Sequence, residues 1–187
     1  MKKGVLFIIF SLSSGGTQRN LVNLINNIDT KDKNKILFLY NPTKSSGFDN
    51  QIDGKVKIYK APYSKFKHLT RLKLLSHIIK EENITSIISY ALTGTYLALI
   101  TRLIFPFKRL PIIYRMVSVD TALTNSRFWI LKEINKFLFF NVICRFVNTI
   151  ISQSNYMKRS LINKSRISIK DKVVVIKNLV DFSYQFL

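Results

Sequence analysis

The sequence predicts an α/β protein built on a doubly wound, mostly parallel sheet, and three observations predict it. Short uninterrupted apolar runs alternate with segments whose apolar residues recur at helical spacing. Gly, Pro, Ser and Asn fall in the breaks between them. The alternation persists along all 187 residues, a length that suits one domain and suffices to bury a full core. Strands separated by helices pair in parallel through right-handed crossovers, so the pattern implies a Rossmann-like layering.

Val5 to Ser11 is a continuous apolar run, as expected of a strand covered on both faces. Ser13 to Thr17 breaks it with two glycines, and Leu21, Leu24, Ile25 and Ile28 then mark one buried face of a helix. Ile36 to Tyr40 and Val56 to Tyr59 read as the second and third strands, separated by a polar loop with Pro42, Gly47 and Gly54. Leu69, Leu72, Leu75, Ile78 and Ile79 form the next helical stripe, with Lys65, Lys67, Arg71, Lys73 and Lys80 mostly off it. Ile84 to Ser89 is a fourth strand, and Thr93 to Ile104 a largely buried helix that Pro106 ends. Ile112 to Met116 follows Pro111 as a fifth strand, and Ile130, Ile134, Phe137 and Leu138 again show helical spacing. Thr149 to Ser152 is a sixth strand with Ser154 placed to cap the helix after it, and Val173 to Ile176 is the last strand. No internal repeat interrupts this order.

Composition bounds the function classes. Apolar residues make up 47% of the chain, which excludes a disordered protein. Thirty Lys and Arg against ten Asp and Glu give a formal charge of +20, a surface drawn to polyanions. Lys, Asn and Ile are abundant together, a compositional bias, so the charge says little about any particular partner. No RNA- or DNA-binding module is recognisable, and specific nucleic-acid binding is not expected. Cys144 is the lone cysteine, sits in an apolar stretch and cannot form an internal disulfide, which suits a reducing compartment. Lys2 and Lys3 before Val5 to Phe10 imitate a signal peptide, but the apolar run is short and no small-residue cleavage site follows. Ser86 to Phe105 is long enough to cross a bilayer, yet polar residues including Thr93, Gly94 and Arg102 interrupt it, so a strand, a loop and a buried helix are expected instead.

Ligands bind such sheets at the carboxyl ends of the strands, where strand order reverses. The first loop there, Ser13-Ser14-Gly15-Gly16-Thr17, lets backbone approach a ligand and precedes a helix N-terminus able to receive a phosphate. It matches neither G-x-G-x-x-G nor a Walker motif, and two glycines also suit a plain tight turn. His68 and His77 lie on or near the early basic helix and are expected at the surface.

Three segments together carry a resemblance. The first strand with SLSSGGTQRNLVNLINNI looks like the opening of retaining family 4 glycosyltransferases. Ile150 to Ser154 with Met157, Lys158 and Leu161 resembles the family's V-S-x-S-x-x-M-K-x-x-L segment. Val173 to Asp181 resembles its V-I-x-N-G-V-D ending. The resemblance implies the N-terminal, acceptor-side half of a GT-B fold. Residues 1–187 then form a single Rossmann-like domain, and the donor-binding half is absent from the chain. Ser14, Gly15, Gly16 and Thr17 correspond to the loop beside the donor diphosphate and the transferred sugar. Thr93 and Gly94 fall in the region that shapes the acceptor pocket, and Arg115 falls near a cleft-facing polar position. Ser154 begins a cleft-facing helix, and Asn178 and Asp181 match the hinge-side motif.

The sequence also departs from the pattern. Gln18 stands where Glu is frequent, no histidine follows the fifth strand, and Leu179 replaces a glycine or proline. No catalytic residue is assigned, and a chain without the donor half is not expected to turn over alone. The resemblance implies a nucleotide sugar as co-substrate with no metal, and a glycan or lipid-linked acceptor. It further implies a second, donor-binding half as partner, and a cytoplasmic location with peripheral contact to an anionic inner membrane face. Lys65, Lys67, His68, Arg71 and Lys73, with Trp129, Phe137, Phe139, Phe140 and Phe146, are the residues that suit such a membrane. A non-catalytic module of the same fold, binding lipid or polysaccharide, is the alternative.

Overall fold

Along the first strand, side chains alternate between two buried layers. In the computed structural model of the chain, Leu6 and Ile8 enter one apolar cluster while Val5, Phe7 and Ile9 enter the other. The described residues are 3–13, 15–30, 33–42, 47–64, 67–106, 108–117, 137, 139–165 and 167–178. A strand with apolar residues at every position is therefore the centre of a sheet covered on both sides.

The strands are β1 (Gly4–Ile9), β2 (Asn34–Leu39), β3 (Lys57–Lys60), β4 (Ile84–Tyr90), β5 (Ile112–Arg115), β6 (Thr149–Ser152) and β7 (Val173–Val175). They form one seven-stranded sheet in the order β3-β2-β1-β4-β5-β6-β7, and every pairing is parallel. The helices are α1 (Gly16–Asn27), α2 (Lys67–Glu81), α3 (Leu92–Ile104) and α4 (Asn155–Lys164). A π-helical turn, Phe139–Ile143, runs into a short helix, Cys144–Phe146. The doubly wound, Rossmann-like sheet expected from the sequence is thus present.

Helix α1 covers one face with Leu21, Val22 and Ile25. Leu75, Ile78 and Ile79 of α2, with Leu97 and Ala98 of α3, cover the other. Each is the stripe that helical periodicity selects, and burying such side chains is worth roughly 1.5–3 kcal/mol apiece. Cys144 is fully buried, and burial pushes its thiol up to about 12, which makes it a packing residue and a poor nucleophile.

Two sequence expectations need correction. Helix α3 is buried on one face only: Ile100, Leu103 and Ile104 are exposed, and among the described residues no layer covers that side. Arg71, one of the cations expected mostly off the apolar stripe of α2, is instead buried beside Tyr40. The predicted helical stripe at Ile130, Ile134 and Leu138 lies outside the described residues, as do Trp129, Lys65, Ser14 and Asp181. The segment Ser86 to Phe105 resolves into β4 and α3 as expected, and no described helix is long and apolar enough to cross a membrane.

Candidate functional site

Strand order reverses between β1 and β4, which are hydrogen-bonded neighbours. From there α1 and α3 leave the same sheet edge side by side, each presenting its N-terminus. Neither helix has a side-chain cap, and neither has an acidic residue in its first turn. The unpaired amides and positive dipole ends of two helices therefore converge on one edge without internal neutralisation.

Glycine is used differently at the two starts. Gly15 and Gly16 are exposed, and a Cβ on Gly16 would meet no protein atom within 4 Å. The fold does not demand glycine at that position; its consequence is unshielded backbone. Gly94 is the opposite case. A Cβ there would lie 3.1 Å from Cγ2 of Ile8 and 3.4 Å from Cε1 of Tyr40, so its absence lets α3 pack close to β1. Ala91, immediately before α3, holds φ 65° and ψ 161°, a region that is essentially glycine's own. The strained turn is braced by Thr95, whose amide and hydroxyl both donate to the Ala91 carbonyl, at 3.3 and 3.0 Å. The same hydroxyl lies 2.8 Å from that of Ser89, buried at the end of β4.

Two buried guanidinium groups flank these helix starts. On the β2 side, Arg71 sits over the Tyr40 ring at 5.5 Å and donates to Oδ1 of Asn41 at 3.2 Å. Burial raises the Tyr40 phenol above its ordinary value, against the pull of a hydrogen bond with Thr93 and of the Arg71 charge. The exposed Phe10 packs edge-on against the same ring. On the β5 side, Arg115 is 4% exposed and lies over the Tyr90 ring at 5.9 Å. Its Nη2 donates to Oδ1 of Asn178 at 2.8 Å, Asn178 donates to Oε1 of Gln153, and Gln153 donates to the Met116 carbonyl. Burial pushes the Tyr90 phenol up to about 12, partly offset by the Arg115 charge, and its hydroxyl has no hydrogen-bond partner. Among the described residues neither arginine makes an ion pair; the two salt bridges, Lys57–Glu82 and Lys60–Asp49, involve neither.

Most sequence-predicted site residues that are described come to this edge. Gly15, Gly16 and Thr17 lie at the start of α1, Thr93 and Gly94 in the first turn of α3, and Arg115 at the end of β5. Ser154 caps α4, its Oγ accepting from the Met157 amide at 3.1 Å, and Asn178 follows β7. Sequence reasoning missed Tyr90, Ala91, Gln153, Tyr40 and Arg71. The first four immediately follow or end a strand, so strand-end position was the available signal. Burial of an arginine inside a basic cluster leaves no such signal.

No protein-family model matches the chain, and no curated protein sequence matches it either. Solved structures do. HepE of Anabaena, in complex with UDP and glucose, matches with TM-score 0.65 at 18% identity, over 97% of this chain and 45% of that one. Sucrose-phosphate synthase of Thermosynechococcus elongatus matches with TM-score 0.68 at 9% identity, over 95% and 48%. UDP-GlcNAc 2-epimerase of Methanocaldococcus jannaschii matches with TM-score 0.57 at 11% identity, over 95% and 46%. The chain spans about half the length of these structures. The fold is therefore that of a GT-B domain, a scaffold shared by glycosyltransferases and epimerases.

Proposed function

We propose that the chain is the acceptor-side domain of a nucleotide-sugar-dependent glycosyltransferase of the retaining family 4 type. The observation that carries this reading is the pairing of two uncapped helix N-termini at the β1/β4 reversal, one behind the exposed Gly15–Gly16 backbone. That arrangement suits an anionic diphosphate at the start of α1 and a sugar hydroxyl beside Thr93. In the transfer, the acceptor hydroxyl bonds to the anomeric carbon, the bond to the diphosphate breaks, and the hydroxyl proton leaves with the nucleoside diphosphate. A second, donor-binding half completes the cleft. The nucleotide sugar is a co-substrate, and no resident cofactor or metal is invoked.

The test is a titration of the isotopically labelled chain with UDP-glucose and other nucleotide sugars, followed by backbone amide resonances. Saturable shifts confined to Gly15, Gly16, Thr17 and the α3 start are expected, and Gly16→Val abolishes them by shielding the amides. Uniform shifts over the basic surface that fade with salt, as a non-specific polyanion would give, overturn the reading.

We further propose a cytoplasmic location with peripheral attachment to an anionic membrane face, which would bring a lipid-linked acceptor to the site. Support comes from a groove of about 390 Å³ between α2 and α3, floored by Leu69, Leu72 and Ile104 and edged by Lys73, His77 and Lys80. Leu103, also on α3, is 79% exposed, and each juxtamembrane cation contributes about 1 kcal/mol at an anionic surface. Co-sedimentation with phosphatidylglycerol vesicles, lost on Lys73→Glu with Lys80→Glu, is the expected result; equal binding by both proteins refutes it.

A further inference from the structure

Resting on the proposed transferase reading, one part of the edge points to what kind of acceptor is bound. A guanidinium taken out of water normally finds a carboxylate, because its desolvation is otherwise poorly offset. Arg115 is 4% exposed, and among the described residues its polar and ring contacts are the neutral carbonyl oxygen of Asn178 and the face of Tyr90. Tyr90, opposite it in the β4/β5 register, is 1% exposed and holds a hydroxyl with no partner, although a buried hydroxyl left unbonded is itself unfavourable. Two unfavourable features thus coincide at adjacent strand ends: a buried cation with no anion among the described residues, and a buried donor without an acceptor. One oxyanion resolves both, accepting from the guanidinium and from the phenol together.

We infer that Tyr90 and Arg115 form a receptor for an oxyanion borne by the acceptor, a phosphoryl or carboxylate group. Asn178, itself exposed, holds the guanidinium in place until that group displaces it. The acceptor is therefore an anionic sugar or sugar phosphate, and its charged group anchors it at the end of β4 and β5 while its hydroxyl reaches toward α3.

The experiment follows the Arg115 Nε resonance of the labelled chain at constant ionic strength. The probes are inorganic phosphate, glucose 6-phosphate, glucuronate, UDP and glucose. Saturable shifts with phosphate or glucose 6-phosphate, or with glucuronate, and none with glucose, are expected; which of them binds tighter separates a phosphoryl from a carboxylate acceptor. Tyr90→Phe removes only a hydroxyl that bonds nothing in the free protein, so the variant folds as well as the parent yet binds the oxyanion about tenfold more weakly. Equal affinity in Tyr90→Phe overturns the inference, as does the absence of any oxyanion effect at Arg115. A response to UDP with none to the other oxyanions assigns the pair to the donor and also overturns it, while leaving the transferase reading intact. Failure of the Gly15 and Gly16 amides to respond to nucleotide sugars, with the phosphate response preserved, removes the transferase reading alone.

Discussion

Nη2 of Arg115 donates to Oδ1 of Asn178 at 2.8 Å across 63 residues of sequence, tying the end of β5 to the segment that follows β7. Among the described residues it is the one hydrogen bond Arg115 makes, and Gln153, just beyond β6, steadies the Asn178 amide from its other side. Three strand ends are thereby held in one line by neutral side chains around a single buried charge.

Asn178→Ala leaves that charge without its acceptor. A loss of about 1–2 kcal/mol is expected, read as a lower urea midpoint at unchanged slope. Added phosphate should recover more stability in this variant than in the parent, because the guanidinium no longer has to be freed. An unchanged midpoint shows that solvent fully replaces Asn178.

Ala91→Gly tests the strained turn before α3. The observed φ of 65° with ψ of 161° carries about 1–3 kcal/mol of strain for alanine, and glycine adopts it freely. Glycine's greater freedom in the unfolded chain takes back about 0.5–1 kcal/mol, so a net gain near 1 kcal/mol is expected in thermal unfolding. A destabilised variant would mean that the turn is unstrained.

Gly94→Val tests the approach of α3 to β1. The new side chain starts 3.1 Å from Ile8 Cγ2 with Tyr40 on its flank, and overpacking of this kind costs about 1–3 kcal/mol. Gly94→Ala should stay within about 1 kcal/mol of the parent, since the helix-propensity gain offsets a milder contact. Comparable losses for both substitutions contradict the packing account.

Acid and alkaline stability should both trace to Glu82. Burial would raise its carboxyl, but hydrogen bonds from Tyr59 at 2.6 Å and Lys57 at 2.9 Å outweigh that and leave it below its ordinary 4.5. The unfolded chain therefore binds this proton more readily than the folded one. The stabilisation is complete above pH 4.5 and is lost as pH falls through the depressed value. The Tyr59 phenol is shifted the other way, from 10.0 to about 12, chiefly by its bond to Glu82. Its contribution is complete below pH 10 and drains as pH rises toward 12. Glu82→Gln should flatten both limbs of the stability profile measured by urea unfolding at stepped pH; a profile as steep as the parent's assigns the limbs elsewhere.

The strands and helices were legible because the two periods are unmistakable where both faces of a strand, or one stripe of a helix, are apolar. Val5 to Ile9 and Leu75 to Ile79 are examples. The glycine loop and Arg115 stood out because one follows β1 and the other ends β5. Tyr90 was not, since an aromatic residue closing an apolar run reads as core, and it is core, apart from one hydroxyl. Arg71 was not, since its neighbours in sequence are other cations and the ring it lies over, Tyr40, is far off in the chain, just beyond β2.

By itself the sequence determined the α/β class, the order of elements and the loops where a ligand could meet backbone. These are local properties, set by side-chain periodicity and by where glycine and proline fall. Only the tertiary structure decided that β1 and β4 are neighbours at the reversal, that Gly94 serves packing while Gly16 leaves backbone open, and that Arg115 meets Tyr90 and Asn178. Those relationships join residues far apart in the chain, and the burial that gives them their energy exists only once the sheet has assembled.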